Sequence, residues 1–500
     1  MDDNGAVEHV DVLVVGAGIS GIGAAYHLTD QCPGKTFVVL ESKGTFGGTW
    51  DTHRYPGTRS DSDLYTFGYR FKPWTGAPIA TAGEILKYLE EVVAEHDLAR
   101  HIRYHHSITD ARWSSEEQRW TVEVTRTDTG EQLVLTAGFL WMCQGYYRHS
   151  EGYTPSWEGM ERFEGRIVHP QTWPEDLDYA GKRVVVIGSG ATAATLIPAM
   201  APDCAHITML QRSPTFFFTG RNVNELADTL RELDIPDEWT HEIVRRKILK
   251  EQAVITEMSA EYPDLVREGL LEGIRAILGP EFDLETHFNP RYRPWQQRIA
   301  FVPDGDLFEG IKSGKASVVT DEIECFTETG IQLRSGDHLD ADIIITATGF
   351  NINVLGDIRF TIDDTPLDLA DTITYRGMMF TGVPNLLWVF GYFRASWTLR
   401  VDLIGDFVAR LFEHMDALDA SVVTPALRPE DEGMALLPWV DPENFNPGYL
   451  TRGLHLLPKQ GDHDPWRHTQ DYWTEKEELP AADLDDGALR YTGGAADRPQ

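Results

Sequence analysis

The sequence predicts an α/β protein: two Rossmann-like dinucleotide-binding domains with a helical insertion. Three observations predict it. An apolar run, a glycine turn and small residues at helical spacing occur twice, as DVLVVGAGISGIGAA from Asp11 and RVVVIGSGATAATLI from Arg183. From Asn222 to Leu278 the chain is charged and helix-forming, without strand-like runs. Strands resume at ASVVTDEIECF from Ala316 and close with DIIITATGF from Asp342, where the chain could return to the first domain.

The remaining elements fit this frame. TFVVLES from Thr36 reads as a second strand and GEILKYLEEVVAEHDL from Gly83 as an amphipathic helix. RWTVEVTRTDTGEQLVLTAGFLWMCQG from Arg119 alternates apolar and polar residues about an Asp-Thr-Gly turn, which signals strands. A linker rich in Gly, Tyr and Pro runs from Gly145 to about Pro174, and the polar end from about Glu475 reads as a loosely held tail. The expected division is a first domain over 1–150 and 348–500 and a second over 151–221 and 296–347, with 151–174 as linker. The insertion takes 222–295.

Composition excludes several function classes. The 500 residues carry 44 basic and 79 acidic side chains, a net charge of −35, which argues against nucleic acid and disfavours an anionic membrane surface. With 42% apolar and 25% charged residues, the chain reads as globular. Cys32, Cys143, Cys204 and Cys325 show no CxxC or zinc-like spacing, so no disulfide framework, metal site or dithiol centre is expected. The acidic start MDDNGAVEHV does not resemble a secretion signal. The uncharged stretch Gly377 to Phe393 is broken by Pro384 and Asn385 and falls short of a membrane span. A soluble, cytoplasmic protein without an integral membrane segment is expected.

The glycine motifs carry the chemistry. Gly16, Gly18 and Gly21 fit GxGxxG: one glycine for the turn, one for close approach to a pyrophosphate, one for packing helix on strand. The helix N-terminus then offers free N–H groups to the phosphates. Glu41 ends the next strand, placed to bind ribose hydroxyls; a solvated strand end is the alternative. Gly188, Gly190 and Ala193 form the GxGxxA version, and Arg212 stands at the corresponding acidic position. An arginine there would bind a 2′-phosphate, which points to NADPH over NADH, with a plain surface arginine as the alternative. Thr348 and Gly349, within ATGF, follow a buried strand; they are candidates for the cofactor or form a strand-ending turn.

Two longer motifs add a family. FEGRIVHPQTWP has Phe163, Gly165, His169, Trp173 and Pro174 in the pattern FxGxxxHxxxWP, just before the second glycine motif. GGTWDTHRYPGTRSD places Gly48, Trp50, Tyr55, Pro56, Gly57 and Asp61 in GxWxxxxYPGxxxD. Both resemble the type I Baeyer–Villiger monooxygenases. RYRPWQQRIAFVPDGDLFEGIKSGKASVVTDEI from Arg291, GYFRASWTLRVDL from Gly391 and GYLTRGLHLLPKQG look like the ethionamide-activating branch of that family.

The resemblance implies FAD in the first site, NADPH in the second, and dioxygen with a small ketone or thioether as reactants. A flavin C4a-peroxide would convert ketones to esters or lactones and also oxidise sulfur. An always-charged guanidinium suits stabilisation of the anionic oxygen, and the resemblance nominates Arg298, held in place by Asp61. Many relatives carry Lys-Arg there, whereas Gln297 precedes Arg298 here, so Arg293 and Arg291 stay as alternatives. His169 would couple movement of the nicotinamide domain to the flavin. Trp50 is a candidate for the flavin's side and Trp397 for the nicotinamide or substrate side, packing being the alternative for each. Rival readings are a flavin monooxygenase acting on sulfur or nitrogen and a non-oxygenating FAD redox sensor. No oligomeric state is implied.

Overall fold

The computed structural model describes residues 7–494. The first glycine repeat opens a nine-stranded sheet. Its strand Glu8–Val15 lies between Phe37–Leu40 and Gln132–Met142, parallel to both. Strands His106–Ser114, Arg119–Arg126 and Gln132–Met142 form an antiparallel meander, as the alternation about Asp-Thr-Gly predicts. Arg359–Ile362 and Leu386–Trp388 return from the second half of the chain to complete this sheet. The helix Ala82–Glu95 starts on a capping box, with the Thr81 hydroxyl accepting from the Glu84 backbone and the Glu84 carboxylate accepting from Thr81.

The second repeat builds a five-stranded parallel sheet in the order Ala316–Thr320, His206–Gln211, Arg183–Ile187, Ile343–Thr346, Arg166–Val168. The three inner strands are short, mostly apolar and almost wholly buried, as buried parallel strands require. Part of the stretch read as linker is therefore sheet: Arg166–Val168 is its edge strand, and Phe163 is buried against it. The two crossovers between the sheets, Tyr147–Gly152 and Phe350–Ile352, pair antiparallel with each other.

Within 222–295 the chain forms helices Glu225–Glu232, Asp237–Glu261, Pro263–Leu278 and Leu284–Phe288, and no helix follows over 289–295. Buried Arg245 pins the long helix to the first unit, its Nη1 donating to the carbonyls of Tyr65, Thr66 and Gly68 (3.0, 3.2 and 2.9 Å). Phe288 packs against Phe217 and Phe308 of the second unit, so the insertion touches both.

The tail reading is corrected. Helix Tyr472–Ala481 and strand Leu489–Thr492 are packed, the strand pairing with Val422–Pro425. Glu475 is buried, accepting from Arg400 Nε (2.8 Å) and the Tyr392 hydroxyl (2.7 Å). Composition showed the polar outer face of this segment but not that one acid meets a buried arginine while Leu479, Leu484 and Leu489 fill the core. Residues 495–500 lie outside the described residues, as does the start 1–6. Among the described residues no helix is long and apolar enough to cross a membrane.

Candidate active site

Both glycine loops make a tight turn from strand into helix. Gly16 (φ +95°) and Gly188 (φ +123°) adopt left-handed turns, each N–H donating to the end of the neighbouring strand, at Leu40 and Leu210 (2.8 Å each). A Cβ on Gly21 would overlap the Gly16 carbonyl oxygen, so the helix can lie this close only with glycine there. Helices Ile19–Gln31 and Ala191–Met200 start at Gly18 and Gly190 with no side-chain cap among the described residues, leaving their first N–H groups for an anion. Gly48 faces Gly18 so closely that a Cβ would sit 3.0 Å from the Gly18 Cα. At the second loop, space beside Gly190 is open and Ala193 is buried beneath it.

Glu41 and Arg212, after the second strand of each unit, stand in different surroundings. Glu41 is buried and accepts from the backbone N–H of Ala17 (2.8 Å) and Lys43 (2.9 Å), so it braces the first loop and still has lone pairs for a ribose. Arg212 is exposed just beyond its strand and makes no ion pair among the described residues.

Arg298 and Asp61 meet in a two-pronged ion pair: Nε to Oδ2 at 2.6 Å and Nη2 to Oδ1 at 2.7 Å. Side-chain exposures of 41% and 25% leave one side of the pair accessible while the rest is buried. Burial works against the guanidinium's charge, but the Asp61 carboxylate outweighs it and raises the Arg298 pKa. Arg298 Nη1 also donates to the Phe393 carbonyl (3.4 Å). Arg293 instead bonds Asn444, so of the three arginines only Arg298 reaches Asp61.

Residues that sequence reasoning missed complete this corner. Tyr146 and Tyr449 lie near Arg298 with ring centroids 6.1 Å apart, and burial raises the pKa of both phenols. Tyr146 stacks on Trp397 at 5.4 Å, and Trp397 Nε1 donates to Ser20 Oγ (2.8 Å) at the first glycine loop. Trp50 packs edge-on against Phe67. No motif singles out the two tyrosines.

Thr348 and Gly349 lie where the chain leaves the second sheet. Thr348 Oγ1 donates to the Tyr153 carbonyl (2.5 Å), the Tyr153 N–H to the Gly349 carbonyl (2.9 Å), and Ala347 sits under Gly188. His169 stands at the same crossing. Its ring packs on Gly152, beside the Tyr153 and Gly349 carbonyls, and its Nδ1 accepts from the Gln171 N–H (3.1 Å). Burial lowers its pKa, and Nε2 makes no hydrogen bond of normal geometry. Two further histidines lie nearby: His53, with its pKa lowered to about 4 by burial and by His149 and His169, and His149 itself.

Comparison with known proteins bears on what these loops hold. A model described as flavin-binding monooxygenase-like matches residues 79–224, and one for an NAD(P)-binding Rossmann-like domain matches 14–77. The FAD-containing monooxygenase EthA of Mycobacterium tuberculosis is 46% identical over 486 residues, covering 97% of this chain and 98% of that protein. The chain belongs to the family of FAD-containing monooxygenases. This flavin monooxygenase is also 44% identical to the probable FAD-binding monooxygenase AlmA of Acinetobacter baylyi, over 97% of this chain and 96% of that one. An oxidized steroid monooxygenase bound to NADP matches with a TM-score of 0.76 at 25% identity, over 97% of this chain and all (100%) of that one. A cyclohexanone monooxygenase from Rhodococcus sp. Phi1 bound to NADP+ shares the fold, with a TM-score of 0.65 at 23% identity over 85% of this chain and 87% of that one. The family resemblance carried by the two long motifs holds, and the flavin monooxygenase is of the Baeyer–Villiger-like type.

Proposed function

We propose that the flavin monooxygenase is an NADPH- and O2-dependent Baeyer–Villiger enzyme that converts ketones to esters or lactones and also oxidises thioethers. The observation that carries this reading is the two-pronged hold of Asp61 on Arg298. In this reading Gly16, Gly18, Gly21, Glu41, Gly48 and Trp50 hold FAD, in the domain 1–150 and 348–500. Gly188, Gly190, Ala193 and Arg212 hold NADPH, in the domain 151–221 and 296–347, with Trp397, Thr348 and Gly349 along the boundary. Residues 222–295 shape the substrate cleft. Bound FAD, reduced by NADPH, supplies the activation of dioxygen.

The chain's own residues do the rest. Arg298 presents a permanent positive charge where an oxygen gains negative charge, and a fixed donor of this kind is worth about 3–4 kcal/mol. Asp61 fixes the plane of the guanidinium, which an ammonium could not offer. Tyr146 and Tyr449 stay protonated, so they add no negative charge beside Arg298. With Phe390 and Trp397 they form an aromatic wall on one side of the pair. His169 ties the edge of the second sheet to both crossovers and positions the two units.

Product analysis with linear, cyclic and aryl ketones and thioethers, under NADPH and O2, tests the reading. Esters or lactones are expected alongside sulfoxides. Sulfoxides without any ester would move the enzyme to sulfur or nitrogen oxidation. No NADPH-driven oxygen uptake with any compound would leave an FAD redox sensor.

A further inference from the structure

Phe393, whose carbonyl accepts from Arg298, also lines a cavity of about 380 Å³. Its apolar wall includes Trp439 and Phe445, the latter stacked on Phe393 at 4.6 Å. Its cations are Arg394 and Arg467. The Arg394 guanidinium lies 5.6 Å from the Phe445 ring centroid, and its Nη2 donates to the Asn444 carbonyl (2.7 Å) and Oδ1 (3.0 Å). Arg293 Nη2 donates to the same two oxygens, at 3.2 and 2.6 Å. Two guanidiniums thus converge on one neutral amide.

In a protein with 79 acidic side chains, neither of these arginines, nor Arg467, makes an ion pair among the described residues. Burial, then the like charge of Arg293, lowers the Arg394 pKa to about 10, and Asp471 offsets this only in part. Asp441 on the rim is exposed, with Oδ1 taken by the Glu443 N–H (2.9 Å). One polar group of the wall has no hydrogen-bond partner at all: the indole N–H of Trp439, a residue only 1% exposed, has no acceptor among the described residues. Arg293 and Arg394, crowded, half-buried and without an ion pair, cost free energy that an anion removes, and the arginine fork fits a carboxylate; Arg467 stands exposed at the rim. Arg298 is already neutralised by Asp61, so of the two arginines that Phe393 adjoins, Arg394 is the one free to take the carboxylate of an oxo-acid whose carbonyl faces Arg298.

We infer that this cavity binds the carboxylate of the substrate, and that the enzyme acts on oxo-acids or thioether acids in preference to their neutral counterparts. The inference rests on the oxygenase reading above for the reacting end only. Binding is measured with the FAD-loaded enzyme, using octanoate and methyl octanoate as probes by calorimetry. Turnover is measured with oxo-acids of graded chain length and their methyl esters. Octanoate is expected to bind at least tenfold tighter than its ester and to compete with the oxo-acid. Arg394→Gln is expected to remove that preference, and the acid's KM advantage over the ester should fall at least tenfold. Arg394→Lys, which keeps the charge, should retain part of it and serves if the glutamine variant fails to fold. Equal binding of octanoate and methyl octanoate by the unaltered enzyme, or an acid preference that survives Arg394→Gln, overturns the inference. If no ketone is oxygenated yet octanoate binds in an Arg394-dependent way, the oxygenase reading falls and the cavity assignment stands.

Discussion

At the scale of single residues, the arrangement around Asp61 separates two half-reactions. Reduction of flavin by NADPH needs hydride geometry and leaves no negative oxygen to stabilise, so in Arg298→Ala it is expected to stay within about tenfold. Oxygen transfer to a ketone loses a fixed donor worth about 3–4 kcal/mol, or ~10²–10³-fold. NADPH oxidation should then continue with hydrogen peroxide in place of ester. Arg298→Lys should rescue poorly, because both prongs on Asp61 need the planar fork. Stopped-flow absorbance and ester yield read both halves, and ester at near-normal coupling would shift the role to Arg293. Arg212 gives a second residue test. Since it has no ion pair to lose, Arg212→Ala should weaken NADPH use alone, by roughly 10- to 150-fold in KM for a charge-assisted contact of ~1.5–3 kcal/mol. Equal losses with NADH would make Arg212 structural.

Elements raise different questions, because here side chains fasten one piece of chain to another. His169 follows the edge strand Arg166–Val168 and lies against both crossovers. His169→Ala is therefore expected to fold and bind FAD yet to spend more NADPH per product, as the crossovers lose their spacer. Unchanged coupling would reduce the histidine to packing. The helix Tyr472–Ala481 is held by the Arg400–Glu475 pair, with side chains 0% and 5% exposed. Arg400→Met strands a buried carboxylate and should cost on the order of 3–5 kcal/mol by denaturant unfolding. Adding Glu475→Leu should recover much of that loss, and a single-variant loss below ~1 kcal/mol would show the pair to be dispensable.

For the whole molecule, buried histidines couple stability to pH. Burial, the largest cause for each, holds His53 and His241 to about 4 and His468 to about 3, against 6.5 for an unperturbed ring. Unfolding therefore takes up protons between pH 6.5 and about 4, and this stability is present above 6.5 and lost as pH falls through that window. Asp63 works in the opposite sense, since burial raises its pKa to about 6 and the fold gains protons below that pH. Relief of the −35 net charge on acidification also opposes the histidines, so a difference measurement is needed. His53→Asn should lower proton uptake on unfolding near pH 5 by close to one, read from the slope of unfolding free energy against pH. An unchanged slope would mean that His53 titrates alike in both states.

The sequence by itself determined the two nucleotide loops, the helical insertion and the strands between them. Each is a local matter: Gly16, Gly18 and Gly21, or Gly188, Gly190 and Ala193, act within one strand–turn–helix, where residue spacing and turn chemistry dictate the shape. Asp61 and Arg298 could be nominated only because each lies in a segment resembling a family. Their meeting across 237 residues of chain was decided by the tertiary fold, which brings Arg298 to Asp61 and Arg293 to Asn444. The same holds for Tyr146 and Tyr449, for the arginines that make no ion pair beside the Phe393 cavity, and for the packed segment after Glu475. Polarity along the chain records which side chains could face water. Which charge finds a partner depends on surfaces brought together from distant segments, and that information exists only once the chain has closed on itself.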